Sequence, residues 1–198
     1  MDLVIATLNK KKLIEIKDLL NNLDFNILSM DDFPDIPEVI EDSDTFEGNA
    51  VKKAVEIACM TRKLTLADDS GLEIDCLGGE PGVRSARYAG EKATDEDRNR
   101  KVLELLNDVP KEKRAARFRC VIAIANPDGD VQTVEGVCEG EIAFGLLGNE
   151  GFGYDPMFLV PSYGKTFAEL GPEIKNQISH RAIALRKARN LLANFGSI

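Results

Sequence analysis

The sequence predicts an α/β fold, and three observations predict it. A short apolar run, Leu3-Val4-Ile5-Ala6, leads into Leu13, Ile16, Leu19, Leu20 and Leu23 at helical spacing. A second amphipathic helix, announced by Asp44-Thr45-Phe46-Glu47, leads into another apolar run, Leu64-Thr65-Leu66-Ala67. Residues 117–125 and 131–138 read as two strands around the turn Asn126-Pro127-Asp128-Gly129, a long hairpin. Strands alternating with helices are the pattern of α/β architecture.

Composition limits what such a fold can do. The 198 residues, 43% of them hydrophobic, suffice for one core or for two lobes sharing one, and a single domain over residues 1–198 is expected. The balance of 25 basic against 34 acidic residues gives net charge −9, which repels polyanions at long range. No nucleic-acid or membrane partner is therefore expected, although a small anion in a locally basic cleft remains allowed. No apolar run approaches the roughly 20 residues of a membrane span. The first residues, Met1-Asp2-Leu3-Val4-Ile5-Ala6, lack the basic region of a secretion signal, so a cytoplasmic location is expected. Cys59, Cys76, Cys120 and Cys138 show no Cys-x-x-Cys spacing, which leaves zinc and thioredoxin-like chemistry without support. Cys120 and Cys138 lie nearly symmetrically about the hairpin turn and could face each other across it, as two thiols in a reducing compartment.

The connection between the first strand and helix is Thr7-Leu8-Asn9-Lys10-Lys11-Lys12. Lysines in a first helical turn oppose the partial positive charge already there, so three together call for an anion to neutralise them. Thr and Asn to cap, free amides and adjacent lysines make a phosphate site. A solvated lysine run accounts for the segment equally well. In the second helix Phe46, Ala50, Val51, Ala54, Val55 and Ala58 share one face, after an acidic, proline-containing loop over residues 31–42.

The run at residues 64–67 reads as a buried strand ending in Asp68-Asp69-Ser70-Gly71. Side chains alternate along a strand, so one aspartate at most enters a given cleft while the other serves the loop. Paired carboxylates at a strand end, in a chain that also offers basic anion sites, suit magnesium-assisted chemistry on a phosphate. Turns are also rich in these residues.

A glycine-rich loop (Gly78, Gly79, Pro81, Gly82) leads to Ser85-Ala86-Arg87-Tyr88-Ala89-Gly90, and Thr94 with Asp97 opens a helix that carries Val102, Leu105 and Leu106 toward the core. After the hairpin, Gly148-Asn149-Glu150-Gly151-Phe152-Gly153-Tyr154-Asp155-Pro156 places glycines around a phenylalanine. A ring presented on such a loop is a stacking platform for a base, and equally an ordinary turn with a core Phe. The one histidine sits in Ile178-Ser179-His180-Arg181, downstream of Lys175. These donors suit a polar anionic ligand, while a lone histidine at a helix start also serves as a packing residue. Ser179 caps the closing helix, with Leu185, Ala188, Leu192 and Phe195 on its buried stripe and Arg186, Lys187 and Arg189 mostly outward.

Seven segments occur here in an order that resembles the inosine triphosphate pyrophosphatase (Ham1-type) family, nearly end to end. They are residues 6–12, Thr45-Phe46 with Asn49-Ala50, residues 67–72, Gly82 with Ser85-Ala86-Arg87-Tyr88, residues 151–156, Lys165-Thr166 and Ser179-His180-Arg181. The resemblance implies an α/β protein with a long twisted mixed β-sheet flanked by helices, in two lobes with a central active-site cleft, and a homodimer. It implies Mg2+-assisted hydrolysis of non-canonical purine nucleoside triphosphates (ITP, dITP, XTP) to the monophosphate and pyrophosphate.

Carried over by position, the resemblance assigns Thr7, Leu8, Asn9, Lys10, Lys11 and Lys12 to triphosphate binding. Asp69 becomes the general base and a metal contact, Glu41 the other metal-associated carboxylate, and Ser70 a substrate contact. Phe152, Gly153, Tyr154 and Asp155 become the base-binding segment, with Phe152 the stacking ring, and Lys175, His180 and Arg181 surround the base and its 6-keto oxygen. Two positions depart from the family pattern: Gly48 stands where many members have Glu, a change a helix exterior tolerates, and Glu150 where Gly is usual.

Other classes compete. A dinucleotide-dependent oxidoreductase needs Gly-x-Gly-x-x-Gly after the first strand, and residues 7–12 contain no glycine. A Maf-type nucleotide pyrophosphatase opens with a different loop. A non-catalytic purine-nucleotide sensor would bind the same ligand without turning it over.

Overall fold

The computed structural model describes residues 1–195, with side chains through residue 193. Phe195 belongs to the last helix, but its side chain lies outside the described residues. Seven strands form one sheet in the order β2-β1-β3-β4-β5-β6-β7, where β1 is Asp2–Ile5, β2 Asn26–Ser29, β3 Leu64–Ile74, β4 Ala115–Ala125, β5 Val131–Ile142, β6 Phe158–Val160 and β7 Lys165–Thr166. β1 pairs in parallel with β2 and β3, whereas β5 with β6 and β6 with β7 run antiparallel, so the sheet is mixed. The helices are α1 (Lys10–Leu20), α2 (Phe46–Thr61), α3 (Asp95–Leu105), α4 (Phe167–Ile178) and α5 (His180–Phe195).

The chain divides into two compact units. The first comprises Met1–Asp69, Cys120–Gly136 and Arg181–Ile198, and the second Ser70–Arg119 and Val137–His180. In the first unit Leu3, Ile5, Leu64, Leu66, Ile122 and Ile124 of the strands pack with Ile16 and Leu20 of α1 and with Leu185, Ala188 and Leu192 of α5. The helical spacing read in the sequence therefore faces the core where expected, except that α1 ends at Leu20 and Leu23 packs from beyond it. The second unit has its own core of Leu72, Ile74, Val102, Phe118, Phe158 and Phe167, in which the Phe118 and Phe158 rings lie 4.5 Å apart in a tilted arrangement.

Local chemistry sets the helix starts. Asn9 caps α1, its Oδ1 accepting from the amides of Lys11 (3.0 Å) and Lys12 (3.2 Å). The cap of α2 is Thr45, not Asp44 as the spacing to Glu47 suggests: Thr45 Oγ1 accepts from Gly48 N at 3.0 Å, and Glu47 instead accepts from Thr133 Oγ1. Thr94 and Asp97 form the reciprocal capping box that opens α3. Of its apolar residues, Val102 and Leu106 are buried, but Leu105 is exposed.

Three further sequence expectations change. β3 does not end before Asp68-Asp69-Ser70-Gly71 but runs through it for 11 residues, so both aspartates are strand residues and not turn residues. β4 and β5 are sheet neighbours joined by a tight turn. The bonds Asn126 N to Asp130 O and Ile142 N to Arg114 O fix one register along them. That register sets Cys138 opposite Phe118 and Cys120 opposite Gly136, so the two cysteines do not face each other, and all four cysteines are free. Burial pushes the Cys120 thiol up to about 12, with Asp68 adding to the effect, which leaves it inert. Gly48 does not sit on a tolerant exterior: a Cβ there would meet Ser43 Oγ at 2.1 Å and Ser43 Cβ at 2.8 Å.

Candidate functional site

The first unit gathers a compact charge cluster around β3. Asp68 is 1% exposed, yet it pairs with Lys12 Nζ at 3.0 Å and with Arg181 Nη2 at 3.3 Å. Burial alone would raise its carboxyl, but Lys12, Arg181 and Lys53 outweigh that and hold it well below the usual carboxylate range. Arg181, also buried, donates from Nη1 to Glu15 of α1 at 2.5 Å. Its guanidinium therefore bridges Glu15 and Asp68, with more than one N–H of its planar fork in use.

Asp69 points into different company, as alternation along a strand requires. Its Oδ2 accepts from Asn49 Nδ2 of α2 at 3.0 Å in a buried contact. Asn49 is itself fixed, since its Oδ1 accepts from Ser43 N at 2.9 Å. Burial pushes the Asp69 carboxyl up, Lys12 opposes the shift, and Glu41 adds to it. Lys53 of α2 pairs with Glu41. Burial would lower the Lys53 ammonium, but Glu41, Asp68 and Asp69 together raise it. Asn49 falls in one of the family-like segments but has no assigned role there; Lys53 and Glu15 have no local motif in the sequence, and only the fold brings them to Glu41 and Arg181. Lys10 and Lys11 are exposed in the first turn, and Asp68 neutralises Lys12. Because Asn9 already accepts from two first-turn amides, the pull of this helix start on an anion comes from its lysines and dipole more than from free amides. Thr7 is half-buried and accepts from Asn9 N at 3.2 Å, while Leu8 is exposed.

The second unit organises residues 151–155. Asp155 Oδ2 accepts from Phe152 N at 2.8 Å and pairs with the buried Lys175 Nζ at 2.6 Å. The same ammonium lies 4.2 Å from the centre of the Phe152 ring, a cation–π contact. Gly151 is required here, because at φ +79° an added Cβ would stand 2.2 Å from Asp155 Oδ2. Tyr154 is buried, and its hydroxyl donates to Ser85 O at 2.8 Å, anchoring the segment to the 3-10 turn Gly82–Arg87. His180 is buried and stacks on Phe118, 4.7 Å between centroids. Ser70 is half-buried in β3, and Glu150 is exposed beside Gly151.

The sequence-predicted residues thus fall into two sets. Lys12, Glu41, Asp69 and Arg181 join one network in the first unit, with Thr7, Leu8 and Asn9 on the approach to α1 and Lys10 and Lys11 in its first turn. Phe152, Asp155 and Lys175 join another in the second unit, which also holds Ser70, Gly153, Tyr154 and His180.

Among the described residues no three His, Cys, Asp or Glu side chains form a ready metal site. Magnesium does not require one: it usually keeps several waters and takes one or two carboxylates, with phosphate oxygens completing its shell. Asp69 and Glu41 fit that demand, since both offer hard oxygen donors and Glu41 is close enough to raise the Asp69 carboxyl.

A mixed sheet flanked by helices, with a lysine-bearing helix start paired to a buried strand aspartate, marks an α/β protein with a local cationic cluster in an acidic chain. The chain belongs to the Ham1 family, which its residues 3–191 match. It is 55% identical over 192 residues to the dITP/XTP pyrophosphatase of Desulforamulus reducens, covering 97% of this chain and 96% of that one. It is 54% identical over 183 residues to the enzyme of the same name from Geobacter sulfurreducens, covering 92% of each. The solved structure of a HAM1 protein from Coxiella burnetii superposes with TM-score 0.90 at 44% identity, covering 98% of this chain and 99% of that one.

Proposed function

We propose that this protein hydrolyses non-canonical purine nucleoside triphosphates (dITP, ITP and XTP) to the nucleoside monophosphate and pyrophosphate, clearing them from the nucleotide pool. The observation that carries the reading is Asp69: a buried carboxylate oriented by Asn49, among Lys12, Lys53 and Glu41. Family membership and the 55% identity to a dITP/XTP pyrophosphatase over nearly the whole chain support the substrate class.

In this reading Lys10 and Lys11, with the N-terminal end of α1, bind the triphosphate tail, and Thr7, Leu8 and Asn9 form the approach to it. Asp69 orients the attacking water and accepts its proton as the α-phosphorus is attacked in line. Burial raises its carboxyl in the metal-free site, and a bound Mg2+ would lower it, so orienting the water counts for more here than proton affinity. Lysines at the helix start stabilise the charge that grows on the departing pyrophosphate. Asp69 and Glu41 would hold Mg2+, which when bound neutralises phosphate charge and acidifies a coordinated water. Lys53, paired with Glu41, keeps that carboxylate in place.

In the second unit, Phe152 supplies the stacking face, with Gly153, Tyr154 and Asp155 shaping the segment and Ser70 contacting the nucleotide. Lys175 and His180 read the base, while Arg181, in the first unit, is engaged by Glu15 and Asp68. The Lys175 ammonium only donates, which suits a 6-keto oxygen and sets donor against donor for the amino group of adenine. A buried mismatch of that kind discriminates by orders of magnitude. The carboxylate partner of Lys175, Asp155, fixes the direction of that cation.

The test is Mg2+-dependent release of pyrophosphate from ITP and XTP, with ATP and GTP alongside. Pyrophosphate from ITP and XTP with little from ATP is expected. Orthophosphate as product, or equal turnover of ATP, would overturn the reading, and binding without turnover would mark a sensor. A cytoplasmic homodimer is proposed with it. Among the described residues no helix is long and apolar enough to cross a membrane. A monomer on gel filtration would remove the dimer.

A further inference from the structure

The geometry points to Asp95 and Asn99 of α3 as positioning residues for base discrimination. Both grip one residue of the segment at 151–155. Gly153 N donates to Asp95 Oδ2 at 2.9 Å, and Asn99 Nδ2 donates to Gly153 O at 2.9 Å. The two side chains stand four residues apart, hence on one face of the helix. Together they satisfy both backbone polar groups of a glycine held at φ +62°.

Neither residue is spent on α3 alone. The helix is already capped by Thr94 with Asp97. Arg98, which pairs with Asp95, ties the helix start to Ala86 O at 2.8 Å and Ala93 O at 2.6 Å. Val102 anchors the next turn in the core. Asn99 is 3% exposed, and its Oδ1 has no protein hydrogen-bond partner among the described residues. A buried acceptor left in that state costs stability, so packing alone does not account for an asparagine here. Its amide nitrogen is what the position uses.

Phe152 immediately precedes Gly153, and Asp155, which holds Lys175, follows two residues later. Fixing the Gly153 peptide groups therefore sets the path of the backbone between the stacking ring and the carboxylate that orients the base-reading lysine. A segment ordered before the ligand arrives does not spend binding energy on ordering afterwards. This assignment rests on reading residues 152–155 as the base-binding segment. It predicts effects on base recognition and none on grip of the phosphates.

The test compares Asp95→Ala, Asn99→Ala and the conservative Asp95→Asn with the wild type. It measures kcat and KM for XTP and ATP, inhibition by inorganic tripolyphosphate, and deuterium exchange at residues 151–155. Asp95→Ala and Asn99→Ala should each raise KM for XTP roughly five- to tenfold, as expected for one lost hydrogen bond. Their kcat should stay within about twofold, the preference for XTP over ATP should shrink, and exchange at 151–155 should quicken. Tripolyphosphate should inhibit all of them alike, and Asp95→Asn, which keeps an acceptor oxygen, should match the wild type. If Asn99→Ala fails to fold, Asn99→Asp keeps the shape, replaces the donor with an acceptor and should show the same rise in KM. Unchanged KM and selectivity in the variants of a turning-over wild type would overturn the assignment alone, as would weakened tripolyphosphate inhibition in parallel with lost kcat. A wild type that releases no pyrophosphate from XTP would overturn the functional reading and the assignment with it.

Discussion

Lys12 Nζ lies 3.0 Å from Asp68 Oδ2, so a lysine in the first turn of α1 is neutralised by a buried strand carboxylate of the same chain. The contact explains how α1 carries Lys12 where the helix dipole disfavours a cation, and Lys10 and Lys11 are exposed at the helix start. Asp68 is thereby an electrostatic keystone, holding α1 through Lys12 and α5 through Arg181.

Replacing Asp68 with Asn should destabilise the protein by about 3 kcal/mol, because Lys12 and Arg181 lose their shared anion inside the fold. The Asp68 carboxyl is depressed on folding, so its contribution is complete above the unfolded value of about 3.9 and is lost as pH falls toward its lower folded value. Urea midpoints of the wild type should fall on acidification below pH ~4, and part of that fall should be missing in Asp68→Asn. Identical midpoints at neutral pH would show that the pairings contribute nothing.

Asp69 behaves with the opposite sign. Burial raises its carboxyl on folding, so the stability it confers is complete below about pH 3.9 and is lost as pH rises through the folded value. At pH 7 in EDTA, Asp69→Asn should therefore raise Tm slightly, since Asn still accepts from Asn49. The same change should cut pyrophosphate release by roughly a hundredfold or more while nucleotide binding persists. Unchanged turnover would remove Asp69 from the chemistry.

Phe152→Ala removes the stacking face and the ring beneath Lys175. Loss of stacking of ~1–3 kcal/mol should raise KM for ITP about five- to a hundredfold, with little change in the inhibition constant of pyrophosphate. Equal saturation curves would place the base elsewhere.

Gly151→Ala puts a methyl group 2.2 Å from Asp155 Oδ2 at a backbone angle of φ +79°. The left-handed conformation alone costs about 1–2 kcal/mol, and the clash must also displace the carboxylate that holds Lys175. Lower Tm together with a smaller ITP-to-ATP preference is expected; calorimetry and the pyrophosphate assay read both.

The parts legible in the sequence were those whose signals are local. Capping residues and apolar spacing placed α1, α2 and α3 to within a few residues, and the turn at 126–129 placed the hairpin. β2 escaped because four residues, Asn26–Ser29, carry too little alternation to show. α4 escaped because Gly171 and Pro172 break its periodicity at a kink. β3 was cut short because Asp68-Asp69-Ser70-Gly71 has the composition of a turn, and tertiary pairing overrides that preference. In the site, the lysines and Asp69 were readable as motifs. The contact of Asn49 with Asp69 and the roles of Lys53 and Glu15 were not, since each depends on a partner outside its own helix, Glu15 and Arg181 being 166 residues apart.

The central claim is that water, directed by Asp69, attacks the α-phosphorus of a purine nucleoside triphosphate. Turnover of XTP in 18O-labelled water, followed by mass spectrometry of the products, tests it most directly. The label should appear in the nucleoside monophosphate and not in pyrophosphate. Label in pyrophosphate, or release of labelled orthophosphate, would place the attack at another phosphorus and contradict the account.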